Sequence, residues 1–243
     1  MPTRPFDFPN AAGDRLSGRL ELPVGSTKAW ALFAHCFTCG KDNKAAVRIS
    51  RRLAGAGIGV LRFDFTGLGA SEGDFGSSGF SHNVKDLVAA ADAMTAAGMP
   101  PMLLVGHSLG GAAVLAATGS LPGIHAVATI AAPFDVEHAL HQFDPEGLEK
   151  IEHEGSGVVA IGSRPFTVRK EFVKNLREQD QGARVAALKR PLLLLHSPID
   201  QVVGIENVTS LYLAAKHPKS FVSLDGADHL LTNARDADFA ADM

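Results

Sequence analysis

The stretch that most constrains this chain is Gly106-His107-Ser108-Leu109-Gly110. An apolar run, Met102-Leu103-Leu104-Val105, precedes it, and an alanine-rich run over 112–118 follows. The pattern reads as strand, sharp turn and helix with a serine at the apex, the arrangement that exposes a serine hydroxyl for nucleophilic attack. The small residues have a physical reason. A turn this tight leaves no room for side chains beside the serine, and glycine accepts backbone angles that other residues avoid. The turn also carries Ser108 to the start of a helix, where the Leu109 N–H has no intrahelical acceptor and the helix dipole favours negative charge.

A strand that feeds such a turn must lie in a sheet, and the rest of the chain supplies one. Segments 6–9 and 15–22 read as strands, with Leu16, Leu20 and Leu22 on one period-2 face. Short continuous apolar runs at 29–35, 58–63, 102–105, 124–131, 192–196 and 220–224 read as buried strands. Between them, 42–56, 83–97, 108–118 and 205–216 read as helices, and 64–79 as a Gly/Ser-rich loop. Strands buried on both faces and alternating with helices predict an α/β fold with a mostly parallel central sheet covered on both sides.

One segment breaks the rhythm. Residues 134–190 separate two strands by far more than a crossover needs. The segment holds a helical piece around 140–154, a hairpin-like piece (158–161, a Gly162-Ser163 turn, 166–168) and a helix over 169–179 with Phe172, Val173 and Leu176 on one face. Pro165 restricts the second strand to an edge. The division expected is a core of 1–133 and 191–243 with a lid inserted at 134–190. The alternative is a second folding unit unrelated to the site. Phe166 and Phe172 are the lid residues expected at a substrate pocket.

A serine nucleophile needs a base, and the base an orienting acid. Asp200 follows the run Leu192-Leu193-Leu194-Leu195-His196, and His229 lies just beyond the last strand. Both fall at strand carboxyl ends, where open α/β sheets build their sites. The order Ser108, Asp200, His229 is one of the known orders for such triads. Asp135, after the strand ending near Ala132, is the rival acid; Asp225 and Asp228 sit too close to His229 in sequence to orient its ring well. For the anionic intermediate, the Leu109 N–H and a second amide from the loop after an early strand are expected. Ala34-His35-Cys36-Phe37 occupies that loop, so Phe37 N–H is the expected donor and His35 and Cys36 the expected pocket floor.

Other motifs carry weaker signals. Cys36-Phe37-Thr38-Cys39 has the C-x-x-C spacing of redox or metal sites, but these are the only two cysteines, which rules out a four-cysteine zinc site. They read as free, pocket-lining or buried thiols in a reducing, cytoplasmic setting, Cys39 packing near the start of the next helix. His107 and His196 read as packing residues. His138 and His141 have H-x-x-H spacing without a third ligand in view, so neither a metal nor any cofactor is expected. The 243 residues carry a net charge of −3 with no basic stripe, and 46% are hydrophobic. That balance points away from nucleic acid. No apolar run reaches membrane-spanning length, and the N-terminus lacks the apolar core of a signal peptide.

With these residues in hand the chain resembles the α/β-hydrolase superfamily. The carrying stretches are His35-Cys36-Phe37, Arg62-Phe63-Asp64-Phe65-Thr66-Gly67-Leu68-Gly69-Ala70-Ser71-Glu72-Gly73, Gly106-His107-Ser108-Leu109-Gly110, Asp200 and His229. His35-Cys36 departs from the His-Gly common in such hydrolases and adds a side chain to the pocket floor. The Cys-Phe-Thr-Cys and Arg-Phe-Asp-Phe-Thr-Gly-Leu-Gly runs together are similar to the hydrolase half of bacterial fusions that carry an OsmC-like domain. No such part follows Met243, and 238–243 reads as lying inside a last helix, as in a shortened fusion or a stand-alone relative. The resemblance implies a carboxylesterase-like serine hydrolase acting on a small-molecule acyl substrate, with a small acyl group. Alternatives are a thioesterase, peptidase or perhydrolase using the same triad, or a non-catalytic partner of an OsmC-like module. The oligomeric state is left open.

Overall fold

The computed structural model describes residues 2–161 and 164–243. The N-terminal part runs through β1 (Thr3–Pro5), β2 (Phe8–Pro9), β3 (Arg15–Leu16), β4 (Gly18–Glu21) and β5 (Ala29–Ala34). Then come α1 (Lys44–Gly55), β6 (Ile58–Phe63), α2 (Phe75–Ala96), β7 (Leu103–His107), α3 (Leu109–Ala117) and β8 (Ala126–Ile130). The inserted segment holds a 3-10 stretch (Val136–Gln142), α4 (Pro145–Glu154), β9 (Ser156–Ile161), β10 (Arg164–Arg169), α5 (Lys170–Arg177) and α6 (Gln181–Ala186). The chain closes with β11 (Leu192–His196), α7 (Glu206–Ala214), β12 (Lys219–Ser223) and α8 (Ala234–Asp242).

Eight strands form one sheet in the order β1-β4-β6-β5-β7-β8-β11-β12. From β6 to β12 every pairing is parallel, and β4 joins β6 antiparallel. Successive residues of each buried strand serve opposite faces, as the two-residue period requires. Leu32, Leu61, Leu104 and Leu194 pack on the side of α2 and α3. Their neighbours Phe33, Val60, Val105 and Leu195 pack with Ile49 of α1 and Ala237 of α8 on the other. Each such leucine, removed fully from water, contributes about 1.5–3 kcal/mol of transfer free energy.

Two departures from the sequence pattern are local. The expected loop over 64–79 gives way to helix at Phe75, because Asp74 accepts the Gly76 N–H as an N-cap. Gly79, at φ 66°, then kinks α2. The helical piece expected around 140–154 divides in two, since Asp144 caps a fresh start at Pro145. The hairpin β9–β10 pairs Arg164 with Ile161 through Arg169 with Ser156; its expected Gly162-Ser163 turn lies outside the described residues. Among the described residues no helix is long and apolar enough to cross a membrane.

Candidate active site

The turn between β7 and α3 is built by crowding. Ser108 itself holds the unusual backbone, φ 55° and ψ −126°, a sparsely populated region that costs about 1–3 kcal/mol. The flanking glycines serve space rather than dihedral freedom. A Cβ on Gly106 would stand 2.3 Å from the Gly110 carbonyl oxygen, and one on Gly110 would stand 2.4 Å from those of Ala34 and His35. The same close approach seats the exit of β5, and so the His35-Cys36-Phe37 turn, against the first turn of α3.

Ser108, Asp200 and His229 come from three strand exits and meet. Ser108 Oγ is 3.0 Å from His229 Nε2, and His229 Nδ1 is 2.8 Å from Asp200 Oδ2. The other carboxylate oxygen, Oδ1, accepts the Val202 and Val203 N–H groups at 2.8 and 2.9 Å. Burial works against the charged Asp200 carboxyl, but hydrogen bonds from His229 and these amides outweigh it and hold it below the usual carboxylate range. The rival Asp135 is exposed and caps the 3-10 stretch through the Glu137 N–H. Asp228 bonds Thr232, and Asp225 bonds Ser223. None of these reaches the His229 ring.

Two histidines expected only to pack do more. His107 Nε2 lies 2.7 Å from the His229 backbone carbonyl, and His196 Nε2 lies 2.7 Å from that of Val203. A carbonyl only accepts, so each ring carries its proton on Nε2 and donates. Both rings are buried. Burial first, then the neighbouring charge of His229, pushes His107 down to about 4; burial lowers His196 as well. The pair therefore anchors the loops of the base and the acid as neutral donors. Local sequence gave no sign of the first contact, which joins residues 122 apart.

A pH dependence follows. A buried histidine depressed to about 4 from 6.5 binds its proton more readily in the unfolded chain. Its contribution to stability is complete above the unfolded value and is lost as pH falls from there toward the folded value. On going from about pH 7.5 to about pH 5, His107 alone accounts for a loss of about 2 kcal/mol. Urea unfolding at the two pH values checks this: His107→Gln, which keeps a donor that does not titrate, should lose correspondingly less stability than the wild type.

The Leu109 amide follows Ser108 directly in the chain, and the exit of β5 that leads to Phe37 closes on the first turn of α3 at Gly110. Among the described residues, neither Phe37 N–H nor Leu109 N–H has a protein acceptor. The Phe37 ring joins a cluster with Phe75, Phe143 and Phe172, centroids 5.9 to 6.3 Å away. Phe166 is half-buried against Phe75 at 4.7 Å. The inserted segment thus reaches the turn after β5, and Arg164 adds a hydrogen bond to the Thr38 carbonyl oxygen. His35 is buried, its Nδ1 2.8 Å from the Cys36 carbonyl oxygen.

A buried ionic network that the apolar patterning did not foreshadow holds the same turn from behind. Asp64 accepts the Lys41 N–H at 2.6 Å, Lys41 Nζ at 2.7 Å and the Ala70 N–H at 3.0 Å. Arg62 reaches the Lys41 carbonyl oxygen at 2.5 Å and Glu21 at 2.8 Å. Every one of these charges is paired, as burial requires.

The cysteines correct the sequence reading. Cys36 and Cys39 are not free thiols but a disulfide, Cα atoms 5.2 Å apart. C-x-x-C spacing permits thiols, metal ligands or a disulfide alike; here the turn, closed by the Cys39 N–H to Cys36 carbonyl bond at 3.1 Å, brings the sulfurs together. His138 and His141 stack edge-on at 4.7 Å, with His138 Nε2 on the Val202 carbonyl oxygen. Among the described residues no group of three or more His, Cys, Asp or Glu has the arrangement to hold a metal.

An eight-stranded, mostly parallel sheet with a serine at the apex of a strand–turn–helix is the architecture of the α/β-hydrolase class. A family model described as serine aminopeptidase, S33, matches residues 39–181. The chain belongs to that family and, with it, to the α/β-hydrolase serine hydrolases. The esterase domain of a Rhodothermus marinus protein is 49% identical, with 99% of this chain and 95% of that one covered at a TM-score of 0.81. Est1E from Butyrivibrio proteoclasticus, with ferulic acid bound, shares the fold at 20% identity and a TM-score of 0.83, over 97% of this chain and 96% of that one. The mitochondrial palmitoyl-protein thioesterase ABHD10 of Homo sapiens is 26% identical over 81% of this chain and 62% of its own length. The chain spans between 41% and 64% of the length of the curated relatives it matches.

Proposed function

We propose that the chain is a carboxylesterase-like serine hydrolase that cleaves small acyl esters through an acyl-enzyme. The observation that carries this reading is the continuous hydrogen-bonded path from Ser108 Oγ through His229 to the ionised Asp200. In it, Ser108 Oγ attacks the acyl carbonyl carbon while His229 Nε2 takes the hydroxyl proton. Asp200 stays ionised, holds the proton on Nδ1 and stabilises the imidazolium. The Phe37 and Leu109 amides bind the oxyanion, at the point where the dipole of α3 also favours negative charge. His229 returns its proton to the leaving alkoxide, then activates water to clear the acyl group. The 49% identical Rhodothermus esterase domain supports the ester. The likeness to a palmitoyl-protein thioesterase supports a thioester as the second reading of the same triad.

In this reading 134–190 is a lid, and its aromatic residues beside Phe37 limit the acyl group to a small one. The test is a chain-length series of nitrophenyl esters and matched acyl thioesters, with a serine-directed fluorophosphonate probe. Turnover of short esters and labelling at Ser108 are expected; a protein inert to both is not a serine hydrolase. Phe166→Ala and Phe172→Ala should shift the preferred acyl length and change KM more than kcat, the signature of lost uniform binding. An unchanged profile in both variants removes the lid from the substrate site.

A further inference from the structure

The turn proposed to bind the acyl oxygen is closed by a covalent bond. The Cys36–Cys39 disulfide brackets only Phe37 and Thr38, and Thr38 holds φ 54°. A turn with positive φ at its third residue ordinarily takes glycine or asparagine there, and a β-branched residue keeps that conformation only when its surroundings impose it. The remaining ties lie to one side: Arg164 on the Thr38 carbonyl oxygen, Asp64 on Lys41, and the aromatic cluster on the Phe37 ring. Apart from the Cys39 N–H to Cys36 carbonyl bond, the disulfide is the link that spans both ends of the turn. Without it Thr38 has a route back to negative φ, which turns the Phe37–Thr38 peptide and frees the turn that carries the Phe37 amide to change its course.

The two cysteines differ in exposure. Cys36 is 3% exposed, whereas Cys39 is half-buried. Its Sγ lies 4.0 Å from Nδ2 of Asn43, the N-cap of α1. An incoming thiolate therefore meets Cys39. We propose that Cys36–Cys39 is a thiol–disulfide exchange site for a dithiol reductant, and that its redox state sets how well the Phe37 amide is held for catalysis. The second half of this rests on the reading of Phe37 as an oxyanion donor. In the exchange, one reductant thiolate forms a bond to Cys39 Sγ while the Cys36–Cys39 bond breaks and Cys36 leaves as a thiolate. The reductant's second thiolate then attacks its own sulfur in the mixed disulfide, closing the reductant's disulfide and releasing Cys39. The reductant loses two electrons, the protein gains them, and the reductant's two thiol protons end on Cys36 and Cys39.

The experiment uses the whole chain, oxidised with oxidised dithiothreitol or reduced with dithiothreitol. Iodoacetamide mass shifts count thiols in quenched samples, circular dichroism follows the fold, and kcat and KM are measured with nitrophenyl acetate. Reduction is expected to expose two alkylatable thiols and to lower kcat at least about tenfold, part of the 10²–10³ that loss of one oxyanion donor costs. KM should move less than about twofold, the circular dichroism should not change, and reoxidation should restore the rate. The Cys36→Ser/Cys39→Ser double variant should turn over at the reduced rate in either buffer. The inference is overturned by a reduced, fully alkylatable wild type that keeps the oxidised rate, by sulfurs that excess dithiol never opens in the folded protein, or by a double variant that still responds to reductant. Absence of turnover and of fluorophosphonate labelling in both states is a different failure: it removes the serine-esterase reading, and the redox control with it.

Discussion

Ser108→Ala should lower kcat for a short nitrophenyl ester by about 10⁶, the scale seen when a triad serine is removed elsewhere, and should abolish fluorophosphonate labelling. A residual rate about 10³–10⁴-fold over water is expected to survive, because the oxyanion donors and substrate binding remain. The fold should be unaffected. Alanine meets the same backbone at φ 55° that serine already tolerates, and the His229–Asp200 bond at 2.8 Å does not involve the hydroxyl. Thermal unfolding and circular dichroism separate lost chemistry from lost structure. A variant that keeps wild-type turnover would falsify the assignment of the nucleophile.

Asp200→Asn should lower kcat by about 10⁴ through a tautomer error rather than through lost binding. The geometry dictates the error. Oδ1 of Asp200 accepts two backbone N–H groups, from Val202 and Val203, so an asparagine must turn its carbonyl oxygen toward them. Its NH₂ then faces His229 Nδ1, which must accept, and the imidazole proton moves to Nε2. A ring protonated there cannot take the proton of Ser108. Asp135→Asn serves as the control, since Asp135 is exposed and its carboxylate accepts the Glu137 N–H, away from His229. Should Asp135→Asn prove crippling and Asp200→Asn mild, the acid has been misassigned.

Much of the sheet could be read from the chain because parallel strands buried on both faces leave runs such as Leu192-Leu193-Leu194-Leu195 that no other element needs. The serine turn was legible for a similar reason: the glycines that crowding imposes are fixed in spacing. Ser108, Asp200 and His229, chosen by order and position after strands, are the residues that meet. What stayed hidden depends on long-range approach. Glu21, Lys41 and the Arg62–Asp64 pair come from three separate segments and form one network only once β4, β5 and β6 lie in one sheet. The short helix α6 has little periodicity to show; Gln181 secures it by donating to the Ala112 carbonyl oxygen at 2.9 Å. The disulfide was missed because identical spacing serves thiols as well, and the choice belongs to the three-dimensional course of residues 36–39.

The inserted segment leaves and re-enters the sheet between neighbours. β8 and β11 are parallel neighbours, from Val127 with Leu192 to Ile130 with Leu195, so the segment leaves at the carboxyl edge of the sheet and returns at its amino edge, one strand spacing (about 4.8 Å) to the side and a strand length back. A parallel crossover at such a point needs about a dozen residues, and everything beyond that length is free of the sheet's demands. The segment is therefore a cassette. It can lengthen, shorten or be exchanged between relatives at a fixed pair of sockets without shifting the register of any strand that carries the serine, the acid or the base. Its contacts with Phe37 and Thr38 give each exchange a direct handle on the turn proposed to bind the oxyanion, so diversification of the insert is expected to reach rate and selectivity together.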